Sequence, residues 1–155
     1  MRANPIKVRP EAYELFLKAK YIFRVALRVD STLQAIELFQ QAIEIEPGFA
    51  DAYAEMSLVY AYLAGGFPGY LGFAPHVASQ RAKEAAESAL KIDPNQSTAK
   101  CTLASVLFDV NWLFERAEAM LREILEYDPA HLYTLISLGQ LHLSLGRIDE
   151  AMDLF

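Results

Sequence analysis

The amino-acid sequence predicts an all-α protein built from repeated helices, and three observations support this fold class. An acidic residue is followed by proline three times, as Glu46-Pro47, Asp93-Pro94 and Asp128-Pro129. Small and medium apolar residues recur before each proline at spacings of four and three, which places them on one helical face. The chain is 54% hydrophobic, and much of this content is Ala and Leu, two strong helix formers.

Composition and charge exclude several classes of protein. A chain of 155 residues with this apolar content can bury a core, which excludes intrinsic disorder. The formal net charge of −6 and the lack of a Lys/Arg run argue against nucleic-acid binding, which requires a concentrated basic surface. The single cysteine, Cys101, leaves no disulfide framework and is typical of a reducing compartment, so we expect a cytoplasmic protein.

Residues 1–10 are predicted to form a linker before the first helix. They include basic residues but no apolar run of the kind found in a signal peptide, and Pro5 and Pro10 delay the helix. The first helix then follows, with Ala19 as its small packing residue. Ser31 and Gln34 have the spacing of a capping box, which predicts that the second helix begins at Ser31.

Each helix that ends at an acidic residue and proline has three small or medium residues at equivalent positions. Proline ends the helix because it has no N–H and disfavours helical geometry in the preceding residue. The three sets are Ala35, Phe39 and Ala42 before Pro47, Ala82, Ala86 and Ala89 before Pro94, and Ala117, Leu121 and Ile124 before Pro129. The helix after each proline has a small residue at a fixed place, Ser57, Ala104 or Gly139, which predicts a close approach of backbones there.

These patterns together resemble the tetratricopeptide repeat, a helix–turn–helix unit of about 34 residues. The last unit matches best, because Gly146 follows its first helix and Ala151 begins the next packing stripe. The resemblance implies a right-handed superhelical solenoid of antiparallel helix pairs over residues 11–155. Its repeats are expected at about 11–49, 50–96, 97–131 and 132–155, with a longer turn in the first, a 13-residue insertion in the second and a shortened fourth.

A narrower resemblance concerns the segments 11–20 and 111–117, the lengthened first turn and the insertion in the second unit. Together they are similar to the repeat region that follows effector domains in bacterial signalling proteins, such as class III adenylate cyclases and winged-helix regulators. This resemblance implies that the chain is part of a larger bacterial signalling or regulatory protein.

The tetratricopeptide resemblance implies a concave groove lined by the first helix of each unit. The alternative is that the same side chains simply pack between helices. An apolar and aromatic groove suits an amphipathic helix or an apolar peptide as partner. The groove positions that carry over are Leu58, Tyr62, Cys101, Ser105, Phe108, Tyr133, Ile136, Gln140 and Leu143, with Ala54, Ala61, Thr98 and Asp109 beside them and Phe16, Lys20 and Phe23 in the first unit.

A clamp for a C-terminal carboxylate, as in chaperone-binding members of the family, is not expected. The places that would hold the clamp carry no cation, so they lack the charge that recognises a carboxylate. They are occupied by Ala54, Leu58, Thr102, Tyr133 and Ser137.

The insertion carries a second candidate contact surface, formed by Phe67, Tyr70, Leu71 and Phe73. Exposed apolar patches of this kind usually mark interfaces, although these side chains could instead fold back onto the solenoid. Pro75 is expected in the first turn of the next helix. The charge-free run 56–80 exceeds the length of a membrane span, but its glycines and prolines argue against one.

No catalytic or cofactor chemistry is predicted from the sequence. His76, His131 and His142 lack metal-ligand spacing, so we expect no metal and no cofactor. The glycines of the insertion lack the Lys and Ser/Thr that a phosphate-binding loop requires. Trp112 is expected to pack against the turn between the helices of the third unit.

The sequence therefore predicts a non-catalytic scaffold that binds another protein or peptide in its concave groove. The alternatives are the regulatory region of an enzyme such as a nucleotide cyclase, or an assembly factor for envelope complexes. The final helix, from Asp149 to Phe155, carries Met152, Leu154 and Phe155 and is too short to be stable alone. We therefore expect the chain to be part of a longer protein and to form homo-oligomers through this end.

Overall fold

The computed structural model describes residues 8–26, 29–65 and 74–154. These residues form helices connected by short turns and contain no strand, which confirms the predicted all-α class. The helices are α1 (Pro10–Ala26), α2 (Val29–Ile45), α3 (Ala50–Gly65), α4 (Pro75–Ile92), α5 (Ser97–Asn111), α6 (Phe114–Tyr127), α7 (Leu132–Ser144) and α8 (Ile148–Met152).

The helices pack as successive pairs in a right-handed superhelical solenoid. Helix α1 packs on α2, α3 on α4, α5 on α6 and α7 on α8. From the second pair onward, the first helix also contacts the pair before it, since α5 touches both α3 and α4, and α7 touches both α5 and α6. The first helices, α1, α3, α5 and α7, form the inner layer, and the second helices form the outer layer.

The acidic residue and proline end the outer helices as predicted. Helix α4 ends at Ile92, and the backbone N–H of Asp93 makes the last helical hydrogen bond, to the Ala89 carbonyl at 2.8 Å. Helix α6 ends in the same way, with the N–H of Asp128 bonded to the Ile124 carbonyl at 2.9 Å. Proline then has no N–H with which to continue the ladder.

The small-residue stripes are buried where the helices cross, as predicted. Ser57, Ala104 and Gly139 are all buried on the inner helices. The nine stripe residues of α2, α4 and α6 have no exposed surface, and they are Ala35, Phe39, Ala42, Ala82, Ala86, Ala89, Ala117, Leu121 and Ile124. The stripe of α4 consists only of Ala, and such small side chains let the helix backbones approach closely.

The prediction that α2 begins at Ser31 is wrong. The helix begins at Val29, so only two residues separate it from the end of α1 at Ala26. Helices α1 and α2 contain 17 residues each, against 15 and 14 in α5 and α6, so part of the extra length of the first unit lies in its helices.

Two other predictions about helix ends are confirmed. Pro75 is the first residue of α4, where its missing N–H costs nothing. Gly146 follows α7 with a φ of 73°, a left-handed conformation that glycine adopts without strain. The N–H of Arg147 then bonds the His142 carbonyl at 2.8 Å and closes the turn to α8.

The expected packing of Trp112 against a turn is wrong. Trp112 is the residue that ends α5, with a left-handed φ of 56°. Its side chain is 74% exposed, and its ring lies edge-on to that of Phe114, with ring centroids 5.9 Å apart. Among the described residues, no helix is long and apolar enough to cross a membrane.

Candidate protein-interaction groove

The centre of the inner layer contains a buried carboxylate, Glu55 of α3. Its side chain is only 9% exposed, and its Oε1 accepts a hydrogen bond from Lys20 Nζ at 2.7 Å. Arg24 Nη2, also on α1, lies 3.9 Å from the same oxygen. A carboxylate withdrawn from water needs such partners, because an unpaired buried charge is strongly destabilising. The pair joins the first and second inner helices.

Arg24 also connects the first inner helix to the last. Its Nη2 donates a hydrogen bond to the hydroxyl of Tyr133 on α7 at 3.2 Å, although the two residues are 109 positions apart. A side-chain hydrogen bond therefore links α1 and α7, although the two helices do not pack on each other. Arg24 is more than half exposed, so a ligand that enters the groove can reach its guanidinium.

His131 lies at the start of α7 and connects it to α5. Its Nε2 is 3.2 Å from the hydroxyl of Thr98, and its Nδ1 is 2.7 Å from the hydroxyl of Thr134. Burial lowers the pKa of His131, while the carboxylates of Asp128 and Glu55 act in the opposite direction. Both ring nitrogens of His131 thus have hydroxyl partners, which fix the orientation of the imidazole between α5 and α7.

These residues surround an open cavity of about 560 Å³. It is lined by Arg24, Glu55, Thr98, Asp128, Ala130, His131, Leu132 and Tyr133. The cavity thus combines a cationic side chain from α1 with the carboxylate of Asp128 and the apolar side chain of Leu132. We use the name central groove for this cavity together with the predicted groove residues Leu58 and Tyr62 of α3.

Sequence reasoning did not single out Arg24, Glu55 or Asp128. In the sequence alone they are ordinary charged residues of helices and turns. A signal was available, because Lys20 and Glu55 carry opposite charges on consecutive inner helices. Their pairing becomes visible only when the two helices are aligned on the small residues Ala19 and Ser57.

The structure places the nine predicted groove residues in three environments. Tyr62, Ile136, Gln140 and Leu143 are exposed, and Leu58, Ser105 and Tyr133 are half-buried. Cys101 and Phe108 are buried between helices. The Sγ of Cys101 lies 3.4 Å from the hydroxyl of Ser137, and burial raises the pKa of its thiol. We therefore correct the prediction for Cys101 and Phe108, whose side chains pack between α5 and its neighbours.

The first unit's groove positions are also mostly buried. Phe16 and Phe23 lie in the core, where Phe16 contacts Phe39 and Phe23 meets the ring of Tyr62 edge-on at 5.6 Å. Lys20 remains partly accessible above the Phe16 ring. The predicted contact residues of the insertion, Phe67, Tyr70, Leu71 and Phe73, lie outside the described residues.

A second polar cluster lies between the third and fourth pairs. Glu118 of α6 accepts hydrogen bonds from Arg147 at 2.9 Å, from Arg122 at 2.8 Å and from His142 at 3.2 Å. With Glu150 and His142 it could supply ligand atoms to a metal ion. Both carboxylate oxygens of Glu118 already accept hydrogen bonds from a guanidinium, so arginine side chains balance its negative charge without a metal ion. The cluster therefore joins α6 to the last pair.

Comparison with protein families identifies one region of the chain. Residues 114–155 match the family model of the tetratricopeptide repeat. These are the residues of α6, α7 and α8 and the turns between them. No curated protein matches the chain.

Solved structures match nearly the whole chain. A thermophilic tetratricopeptide repeat protein of Thermus thermophilus is 19% identical, with 94% of this chain and 71% of that chain covered at a TM-score of 0.73. The Sgt2 tetratricopeptide domain from Aspergillus fumigatus is 17% identical, with 96% and 87% covered and a TM-score of 0.64. The first such domain of Spaghetti (RPAP3), bound to the HSP90 peptide SRMEEVD, is 15% identical, with 88% and 96% covered and a TM-score of 0.65.

The predicted resemblance to the tetratricopeptide repeat is therefore confirmed. The solved structures establish the fold of the chain, and the family match covers its last three helices, α6, α7 and α8. The narrower resemblance to regions of bacterial signalling proteins stays a prediction.

Proposed function

We propose that this chain, which has the tetratricopeptide repeat fold, is a non-catalytic scaffold that binds a segment of another protein in its central groove. The observation that supports this function best is the cavity of about 560 Å³ at which side chains of all four inner helices meet. A similar fold carries a bound peptide in one of the matching structures, the Spaghetti domain with its HSP90 peptide.

The side chains of the groove suggest the chemistry of the bound segment. Leu58 and Tyr62 offer apolar surface on α3, and Leu132 offers more at the start of α7. Arg24 and Asp128 line the cavity together with Leu132 and provide charges of opposite sign. An amphipathic segment, with apolar residues on one face and polar residues of either charge on the other, matches this combination. A purely apolar peptide would leave Asp128 facing it without a partner.

The cellular setting follows from the proposed role and from the sequence. We propose that the scaffold works in the cytoplasm as part of a regulatory protein. A binding module without catalytic residues can affect other proteins only by binding them, which is typical of a regulatory role. The regulatory region of an enzyme such as a nucleotide cyclase, or an assembly factor for envelope complexes, remains the alternative. The sequence that flanks this chain in its gene distinguishes them, since an effector domain or a signal peptide would appear there.

A displayed library of short peptides with helical apolar periodicity tests the groove directly. We expect enriched peptides to bind the wild-type chain and to lose at least tenfold in affinity on Leu132→Glu, in the cavity lining, or on Tyr62→Glu, measured by fluorescence polarisation. A tenfold loss corresponds to about 1.4 kcal/mol of binding free energy. The reason is that a carboxylate placed against an apolar face must be desolvated when the peptide binds.

Tyr127→Glu is the matched control. Tyr127 lies on the outer helix α6, and both tyrosines are 46% exposed, so the same substitution removes the same kind of surface away from the groove. Its affinity should equal that of the wild type. Peptides that bind the groove variants and the wild type equally well would show that the groove is not the binding surface.

A further inference from the structure

The carboxylate of Asp128 differs from its equivalents in the first two repeats. Asp128, Asp93 and Glu46 each precede the proline that follows an outer helix. The carboxylate of Glu46 pairs with Arg9 at 3.5 Å, and Oδ1 of Asp93 accepts a hydrogen bond from the N–H of Asn95 at 3.0 Å. No described residue donates a hydrogen bond to the side chain of Asp128 or forms an ion pair with it. The described part of the fold therefore leaves this charge available to a ligand.

Asp128 lines the cavity together with His131 and Leu132, and it is half-buried. Burial lowers the pKa of His131, and the negative charge of Asp128 opposes this effect, followed by that of Glu55. Such an effect requires the carboxylate to lie near the imidazole, at the wall of the cavity. Because water is partly excluded there, an ion pair with Asp128 is screened less than one on the open surface.

The cations around the cavity are already paired with a different carboxylate. Lys20 Nζ bonds Oε1 of Glu55 at 2.7 Å, and Arg24 Nη2 lies 3.9 Å from the same oxygen. Arg24 also donates a hydrogen bond to the hydroxyl of Tyr133 at 3.2 Å. Among the described residues that line the cavity, Arg24 is the one Lys or Arg, and it forms no ion pair with Asp128. The negative charge of Asp128 thus has no counter-charge in the described fold.

We propose that the segment bound in the central groove carries a basic residue, Lys or Arg, that pairs with the carboxylate of Asp128. An apolar residue on the same face of the segment covers Leu132, which is 61% exposed. The formal net charge of −6 acts in the same direction, since an acidic protein attracts a basic segment from solution. This inference rests on the proposed function and adds to it the charge of the partner.

An acidic residue fits the same place less well. It would face the like charge of Asp128 without a cation between them. Its available partner would be Arg24, whose guanidinium already bonds Tyr133 and lies beside Glu55. A basic residue instead supplies the charge that the cavity lacks.

Peptides selected on the wild-type chain from the displayed library test the inference, with affinity measured by fluorescence polarisation. We expect them to share a Lys or Arg at one position and to lose affinity about three- to tenfold on Asp128→Asn, as for an ion pair that keeps some contact with water. A peptide with Gln in place of its basic residue should bind the wild type and Asp128→Asn equally well. The loss on Asp128→Asn should shrink as salt rises toward about 1 M, where the screening length falls to roughly 3 Å.

Reversing the charge on both sides makes the test specific. Asp128→Lys should weaken the selected peptide more than Asp128→Asn does, and a peptide with Glu in place of its basic residue should bind Asp128→Lys better than it binds the wild type. Asp93→Asn is the matched control, since it removes the same charge at the equivalent position of the preceding unit, outside the cavity lining. Its affinity should equal that of the wild type. Far-ultraviolet circular dichroism checks folding, and the Asp128→Asn and Gln-peptide pair suffices if Asp128→Lys is not folded.

The contrary outcomes separate this inference from the proposed function. Selected peptides without a shared basic residue, or equal losses on Asp128→Asn and Asp93→Asn, overturn the inference, while Tyr62→Glu and Leu132→Glu still weaken binding. A shared acidic residue whose contribution is lost on Arg24→Gln shows that the groove selects the opposite charge. Peptides that bind Tyr62→Glu, Leu132→Glu and the wild type equally well, or a library that yields no binder, contradict the proposed function and with it this inference.

Discussion

The carboxylate of Glu118 makes the clearest quantitative prediction, because it joins three helices. It lies on α6 and accepts hydrogen bonds from Arg147 at the start of α8, from Arg122 one turn along α6 and from His142 of α7. The side chain of Glu118 is 14% exposed and that of His142 is 2% exposed. Since an ionised carboxylate only accepts, Nε2 of His142 must carry the proton, and its buried Nδ1 has no partner.

The expected loss of stability follows from the pKa of Glu118. Arg147 first, and then Arg122 and His142, lower this pKa from an ordinary 4.5 to about 2, against the opposing effect of burial. A pKa difference of that size corresponds to at most about 3 kcal/mol of folding free energy. Because Arg122 is more than half exposed and water screens its charge, we expect Glu118→Gln to cost about 2 kcal/mol at pH 7.

The pH dependence provides the check. A carboxyl whose pKa is lower in the folded state stabilises fully above its unfolded pKa, near 4.5, and loses that contribution as the pH falls toward 2. The difference between wild type and Glu118→Gln should thus be largest at pH 5 to 7 and less than half as large at pH 3. Urea unfolding followed by circular dichroism measures it as a shift in midpoint at constant slope.

Two results would refute this reasoning. An equal loss of stability at pH 3 and pH 7 would mean that Gln disturbs packing rather than removing a charge. A variant as stable as the wild type at pH 7 would mean that the arginines interact equally well with water. Lys83→Gln is a suitable control, since its pair with Glu87 is half exposed at both ends and its removal should change stability little.

Two further predictions concern packing and backbone geometry. Phe39→Ala should lower the free energy of unfolding in urea by about 3–5 kcal/mol, because the ring is fully buried in the first pair and contacts Phe16. Tyr127→Ala, at an exposed position, should cost far less. Equal losses for the two variants would contradict the assignment of Phe39 to the core. Gly146→Ala should lower stability by about 1–2 kcal/mol through its left-handed φ alone, since an added Cβ meets nothing within 4 Å. Gly65→Ala has the same free space without the left-handed φ and should be neutral or slightly stabilising, so an equal loss at both glycines would show that φ is not the cause.

Local chemistry made most of the helix boundaries predictable. Proline has no N–H, so the ends of α4 and α6 could be located from Pro94 and Pro129 alone. Gly146 could be assigned to the end of α7 because a left-handed cap favours glycine. The start of α2 was predicted two residues late, since Val29 and Asp30 are helical although the capping pattern begins at Ser31.

The candidate site was less predictable than the helices. Tyr133 was assigned to the groove and does line the cavity, but Arg24, Glu55 and Asp128 were not anticipated. Arg24 reaches Tyr133 only through the superhelical twist, which brings together residues 109 positions apart. The periodicity of one helix contains no information on such a contact.

The sequence by itself determined the repeat, the helix pairs and the residues that face each partner helix, because these depend on spacing within one unit. Only the tertiary structure decided which equivalent positions are buried and which are open. Phe108 lies four residues after the small residue Ala104 of α5, and Leu143 lies four residues after the equivalent Gly139 of α7. Phe108 is buried, yet Leu143 is 58% exposed. The physical reason is that a residue on the side of an inner helix that points toward a neighbouring pair loses its contact with water only when that pair covers it. In a stack, that depends on a unit's place among its neighbours, which its own sequence does not encode.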